Sequence, residues 1–343
     1  MKILVTGANG YVGGRLVPRL LTDGHDVVTT TSDIKRERPW WSDRVRTVEM
    51  DVLDARQVAK AVEGVDAVYY LVHGMGGDNF VENDRRGAQN MAAAITNHGV
   101  GRVVYLSGIV PPVPDDELSE HISSRLEVEQ ILTDTPATVI TLRAAVILGS
   151  GSTSFEIIRQ VSERLPVQTV PDWMQSDVQP IAVVDVVEAL VGALSVQTAS
   201  RSYDVGGPDT LPYPQLLETY AEVADLTRPQ VTIPLLPTDL VGTLVGTLTD
   251  VPGPVVEALV ESLHHDMVAH EDDFRTDLLP AGHQLVGLQE SITRALAEEP
   301  ADPATGDPMA PQPQDPKWAQ GGDARPVIAK AVDAAKSALP GGE

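Results

Sequence analysis

The run Val5-Thr6-Gly7-Ala8-Asn9-Gly10-Tyr11-Val12-Gly13 sets three glycines at three-residue spacing between an apolar strand pattern and a helix pattern. Glycine at Gly7 suits a tight strand-to-helix turn. At Gly10 a Cβ would block the approach of a pyrophosphate to the backbone, and Gly13 lets the helix pack close to the strand. With Asn9, Tyr11 and Val12 these residues form a cradle over a helix N-terminus, where free N–H groups and the helix dipole favour negative charge. A glycine triplet by itself also makes a plain turn, but here the strand before and the helix after are those of a dinucleotide-binding unit. The second strand ends in Thr30-Thr31-Ser32, followed by Asp33, Lys35, Arg36 and Arg38. Hydroxyls with nearby cations suit a ribose 2′-phosphate. NADP is therefore the expected cofactor, held there by Ser32 and Arg36, with NAD as the alternative; a solvated basic loop is the plain reading of the same residues.

Other chemistry-bearing runs carry less. Gly149-Ser150-Gly151-Ser152-Thr153-Ser154 lacks the lysine of a P-loop and reads as a flexible rim of a substrate cleft, with Trp173 and Met174 as apolar wall. Gly74-Met75-Gly76-Gly77-Asp78 reads as a flexible lid at the same edge. His264, His265, Asp266 and His270 lie close in sequence, yet adjacent histidines on a helix face different ways; a surface helix is expected there, and no metal is assigned.

The elements that must position these residues alternate. Strand patterns at 3–6, 26–31, 67–72, 102–106 and 137–143 are separated by helix patterns at 11–23, 54–63, 79–98 and 117–134. Near-continuous apolar strands joined by helical crossovers predict a doubly wound parallel sheet covered on both faces, an α/β Rossmann class. Beyond Gly149 helices are expected at 155–164, 184–194 and 214–224. The predicted organisation is a dinucleotide-binding domain over 1–230, with cleft insertions at about 150–180. A helical lobe follows at 231–297, then an acidic Pro/Ala-rich tail at 298–343, largely disordered by composition, with a short Ala-rich helix at 327–339.

Composition narrows the partners. The chain has 343 residues and no cysteine, which removes disulfides, thiolate metal sites and cysteine nucleophiles. A formal net charge of −24 repels phosphate backbones, so nucleic-acid binding is not expected. No apolar run reaches membrane-span or signal-peptide length, and the opening strand is too short for either. A cytoplasmic protein acting on a small molecule is expected, and a homodimer is compatible with that.

The TGxxGxxG spacing resembles the short-chain dehydrogenase/reductase superfamily, in its extended and atypical branches, over about residues 1–225. That resemblance implies further roles. Asp51-Val52, after the third strand, stands where the family places an aspartate on the adenine amino group. Leu71-Val72-His73 ends the fourth strand beside the nicotinamide ribose. Tyr105-Leu106-Ser107-Gly108 ends the fifth, putting Ser107 at the catalytic Ser/Thr position, although a satisfied strand-end hydroxyl reads equally well. Pro180-Ile181-Ala182-Val183-Val184-Asp185-Val186 resembles the segment that pins the C-terminal lobe, and Tyr203-Asp204-Val205-Gly206-Gly207-Pro208 the strand and turn after it.

The family's Tyr-x-x-x-Lys pair is replaced. The matching helix reads Ser119-Glu120-His121-Ile122-Ser123-Ser124-Arg125, which keeps the i, i+4 spacing with His121 and Arg125. This resembles the atypical subgroup that includes NmrA-like redox sensors and quinone or sugar-nucleotide reductases. Arg125 is then expected to donate to ribose hydroxyls. His121, with an ordinary pKa near ~6.5, is expected to donate a proton, though the neighbouring Arg125 opposes its charging. Three roles for His121 stand open: general acid, dinucleotide contact in a sensor, or structural bridge. The resemblance implies an NAD(P)-dependent oxidoreductase acting on a carbonyl or quinone, with Ser107, His121 and Arg125 as catalytic candidates. An NADP(H)-binding redox sensor is the alternative. A nucleotide-sugar epimerase or dehydratase stands third, because those reactions usually also need the tyrosine.

Overall fold

The structure, a computed structural model, describes residues 1–35, 38–74 and 79–319. Its first half repeats strand and helix: β1 (Lys2–Val5), α1 (Tyr11–Thr22), β2 (Asp26–Thr31), β3 (Arg46–Glu49), α2 (Ala55–Val62), β4 (Ala67–Tyr70) and α3 (Phe80–His98). Then come β5 (Arg102–Gly108), α4 (Glu120–Thr133) and β6 (Thr138–Ala144). The strand that completes the sheet lies further on in the sequence, beyond β7 (Ile147–Leu148), α5 (Thr153–Arg164), β8 (Gln168–Pro171), β9 (Asp177–Val178), β10 (Ile181–Ala182) and α6 (Val183–Gly192); it is β11 (Arg201–Val205). The seven-stranded sheet runs β11-β6-β5-β4-β1-β2-β3, and its pairs are parallel.

Alternation along the strands explains the two covered faces. Ile3 and Val5 point with α1 and α6 into one core, while Leu4 joins α2, α3 and α4 in the other. Caps fix several helix starts: the Asp54 side chain accepts the Arg56 and Gln57 amides, and Ser119 accepts Ile122 N–H. The strand order reverses between β1 and β4, so the crevice that binds ligands in such sheets opens above those two strand ends.

A third apolar core belongs to a second lobe. It takes residues from α5, β9, β12 (Leu211–Pro212), α7 (Tyr213–Val223), α8 (Thr238–Leu248), α9 (Gly253–Glu261) and α10 (Leu288–Ala295). The lobe therefore mixes the 150–180 insertions with residues past 230. Strand β13 (Gln230–Ile233) pairs in parallel with β8, so pairing crosses position 230, where the sequence was divided. Asp185, fully buried at the start of α6, binds His283 Nε2 at 2.7 Å and Val286 N–H at 2.9 Å, tying this lobe to the sheet.

Two expectations change here. Residues 298–319 are packed, although their composition reads as disordered. Met309 and Ala310 are buried, Ser150 N–H donates to the Met309 carbonyl at 2.9 Å, and Arg294 pairs with Asp307 at 2.7 Å. Arg15 and Asp315 form an ion pair at 2.8 Å with both side chains almost wholly buried. Order comes from polar contacts to distant elements, which composition does not report. The Ala-rich helix at 327–339 lies outside the described residues. Nor do His264–His270 form a surface helix: after Glu261 the chain makes one 3₁₀ turn, His265 is extended, and Met267 bridges Val178. Among the described residues no helix is long and apolar enough to cross a membrane.

Candidate functional site

The glycine turn is built by its contacts with β4. Thr6 donates from its amide and its hydroxyl to the Tyr69 carbonyl, both at 3.0 Å, and its hydroxyl accepts Leu71 N–H at 3.1 Å. Gly7 has φ +67°, and a Cβ there would lie 2.6 Å from the Leu71 carbonyl oxygen. Gly13 packs on the backbone of Gly7 and Ala8, where a Cβ would overlap the Gly7 carbonyl. The close approach expected at Gly13 is thus to the turn.

At the adenosine end, β2 and β3 finish together: Met50 N–H donates to the Thr31 carbonyl at 2.8 Å, which brings Asp51 beside the end of β2. Asn9 Nδ2 donates to Thr31 Oγ1 at 3.3 Å. The Asp33 carboxylate turns back onto the Lys35 amide at 2.8 Å, and Ser32 is exposed. Asp51 Oδ1 accepts Leu53 N–H at 2.9 Å, and the Val52 carbonyl accepts Asn90 Nδ2 at 2.9 Å. Arg36 and residues 75–78 of the expected lid lie outside the described residues.

The nicotinamide-side candidates converge. Gly7, Gly10, Tyr11, Val12 and Gly13 share one cleft of about 470 Å³ with Leu71, Val72, His73, Ser107, His121 and Arg125. Among the described residues, three buried polar atoms on this cleft lack a partner: the Tyr11 hydroxyl, His73 Nδ1 and Ser107 Oγ. Buried polar groups are almost always hydrogen-bonded. Orphaned atoms beside a glycine cradle fit a bound dinucleotide and a polar substrate atom.

Electrostatics then revise the role of His121. Arg125 Nε donates to His121 Nε2 at 3.2 Å, so that nitrogen accepts and the ring proton resides on Nδ1. Burial first, and the Arg125 charge second, push the His121 pKa down to about 3. His73, edge-on to His121 at 6.1 Å between ring centroids, is held well below its ordinary value by burial and then by Arg125 and His121. At neutral pH both imidazoles are neutral. Proton donation from a His121 imidazolium, the first of the roles expected from sequence, is not available there; a neutral N–H that donates a hydrogen bond is.

Asp84 on α3 was not singled out from sequence. Its carboxylate accepts Gly74 N–H at 2.7 Å and the Ser124 hydroxyl at 3.3 Å, joining the loop after β4 to the helix that carries His121 and Arg125. Only its place after a glycine-rich loop hinted at this. The second lobe supplies Ile157 and Val178, within the insertions expected at 150–180, and the unforeseen Tyr213, Leu259, Val260, Leu263 and Met267. Ser152, Thr153 and Ser154 line the cleft as expected of a rim. Trp173 and Met174 are not on it; Trp173 donates to the Leu236 carbonyl at 2.7 Å and stacks on His264 at 4.3 Å.

Residues 7–164 match a domain family described as NAD(P)H-binding. An uncharacterised protein of Mycobacterium tuberculosis is 33% identical over 150 residues, 43% of this chain and 15% of that protein. A 2-alkyl-3-oxoalkanoate reductase of Stenotrophomonas maltophilia is 35% identical over 111 residues, 31% of this chain and 33% of that enzyme. The chain thus spans only 15% of the first of these relatives and about a third of the second. Among solved structures, a nucleoside-diphosphate-sugar epimerase from Staphylococcus aureus superposes with a TM-score of 0.68 at 12% identity. That match covers 85% of this chain and all of that one, a likeness of fold.

Proposed function

From an NAD(P)-binding domain with the fold of the extended short-chain dehydrogenases, reductases and epimerases, we propose that this protein is an NAD(P)-dependent oxidoreductase acting on a carbonyl or quinone. One observation carries the reading: the cleft that begins at the glycine turn continues past Ser107 into the second lobe. A protein that only senses a dinucleotide has no use for such a chamber. The likeness of the N-terminal part to a 2-alkyl-3-oxoalkanoate reductase supports the same class.

A bound nicotinamide supplies the hydride donor or acceptor. Ser107 Oγ, buried and unpaired, donates to the substrate carbonyl oxygen. The half-buried Arg125 guanidinium binds ribose hydroxyls and adds positive charge behind that oxygen. His121, bonded to Arg125, stays neutral and serves as a second hydrogen-bond donor. The proton that completes reduction then comes from water, and turnover is slow beside a Tyr/Lys enzyme. NADP is the proposed dinucleotide, because the Asp33 carboxylate faces its own backbone and leaves Ser32 and Lys35 to a 2′-phosphate. The cytoplasm is the proposed location.

The low pKa of His121 favours one second reading, an NADP(H)-binding regulator without turnover. Calorimetric titration with NADPH, NADP, NADH and NAD, followed by a carbonyl and quinone panel, separates the two. Binding with NADPH oxidation is expected. Binding without turnover on any panel member supports the regulator, and absence of binding removes both readings.

A further inference from the structure

The second-lobe half of the cleft is apolar in a way that bears on what enters it. Ile122, Ile157, Val178, Val260, Leu263 and Met267 line it, and each is at least nine-tenths buried. Tyr213 adds a phenol whose pKa is raised by burial. Among the described residues, Arg125 is the one Arg or Lys on the whole lining, and it is already bonded to His121.

A nucleoside diphosphate brings two negative charges that need cations or free backbone donors. Three arginines elsewhere in this lobe are committed. Arg159 binds Glu156 and Glu163, Arg164 binds Asp250 and the Leu248 carbonyl, and Arg228 binds the Ser162 carbonyl. Two helices start on this wall: α5 is answered by its own Glu156, which accepts Gly151 N–H at 3.1 Å from a fully buried position, and α7 begins with Tyr213, whose N–H donates to the Ser176 carbonyl at 3.2 Å, and Pro214, which has no N–H. An added phosphate at α5 would meet that carboxylate.

We infer that the substrate is a carbonyl compound with an extended hydrocarbon body and no phosphate, its oxygen at Ser107 and its body against α9 and Met267. The inference deepens the oxidoreductase reading and depends on it. Apolar burial then sets affinity, and each added methylene that enters the chamber tightens binding about fourfold.

The test uses the full chain saturated with NADPH and titrated calorimetrically with 2-alkanones from butanone to dodecanone, and with UDP-glucose. Kd is expected to fall about fourfold per methylene until the chamber is filled, with no binding of UDP-glucose in the millimolar range. Affinity independent of chain length, or UDP-glucose binding tighter than the longest ketone, overturns the inference. Leu259→Lys, at a half-buried lining position, should weaken dodecanone at least tenfold while NADPH affinity stays unchanged. Met267→Ala should move the plateau to longer chains; unaltered ketone binding in both variants also overturns it. NADPH binding in the same titration separates the two levels. Its loss defeats the dinucleotide reading, whereas its retention with a flat alkanone series defeats only the hydrocarbon substrate.

Discussion

An imidazole stands where the resemblance leads one to expect a phenol, and its surroundings keep it uncharged. His121 takes up a proton near pH 3 in the folded chain and near ~6.5 in the unfolded one. Between those values the unfolded state holds more protons, so this group's contribution to stability is complete above pH ~6.5 and is lost as pH falls toward 3. His121→Gln should flatten the dependence of the urea midpoint on pH between 7 and 5; an unchanged slope removes His121 from the acid response. In turnover, His121→Ala removes one hydrogen-bond donor to the developing oxyanion and should lower kcat about a hundredfold with NADPH affinity nearly unchanged. The pH–rate profile of the natural protein should show no inflection near 6.5 from this ring. At the turn, Gly13→Ala forces a Cβ into the Gly7 carbonyl and should weaken NADPH binding about tenfold or more by calorimetry. The glycines were legible in sequence because backbone geometry at a turn is local. The state of His121 was not, because burial comes from β4, β5 and the second lobe.

Among the elements, the segment 298–319 does the least expected thing. It lays Asp315 against Arg15 on α1 and against Gly151 at the mouth of α5, so one carboxylate joins the dinucleotide helix to the cleft rim. Arg15 also donates to the Ser150 carbonyl at 2.7 Å and the Pro308 carbonyl at 2.7 Å. Breaking one side of a buried, hydrogen-bonded pair leaves an uncompensated charge and costs about 3–5 kcal/mol. Asp315→Ala should therefore lower the calorimetric Tm by several degrees. A Tm within one degree of the natural protein's would mean that the tail is not held as described. Apart from β3, the helices and strands of the first 144 residues followed from periodicity, since each βα unit carries its own pattern. The second lobe did not, because β8 pairs with β13 across some sixty residues and neither strand has a pattern of its own.

For the whole molecule, a formal charge of −24 acts on everything else. Like charges over one surface repel and weaken the compact state, and salt screens them with a Debye length of about 10 Å at 0.1 M. Tm should rise as sodium chloride goes from about 10 mM to about 150 mM. A fall would show that exposed ion pairs, such as Arg85 with Glu82 and Glu127, outweigh the general repulsion.

By itself the sequence determined the parallel Rossmann sheet, the dinucleotide turn and the helix face that brings His121 and Arg125 together. These rest on periods of two and 3.6 residues and on glycine geometry, which are local in the chain. Only the tertiary structure decided that His121 is neutral, that Asp84 braces its helix, that α9 and Met267 roof the chamber, and that residues 298–319 are bound down. Each of those depends on which distant segments exclude water from a side chain, and desolvation is a property of the packed molecule.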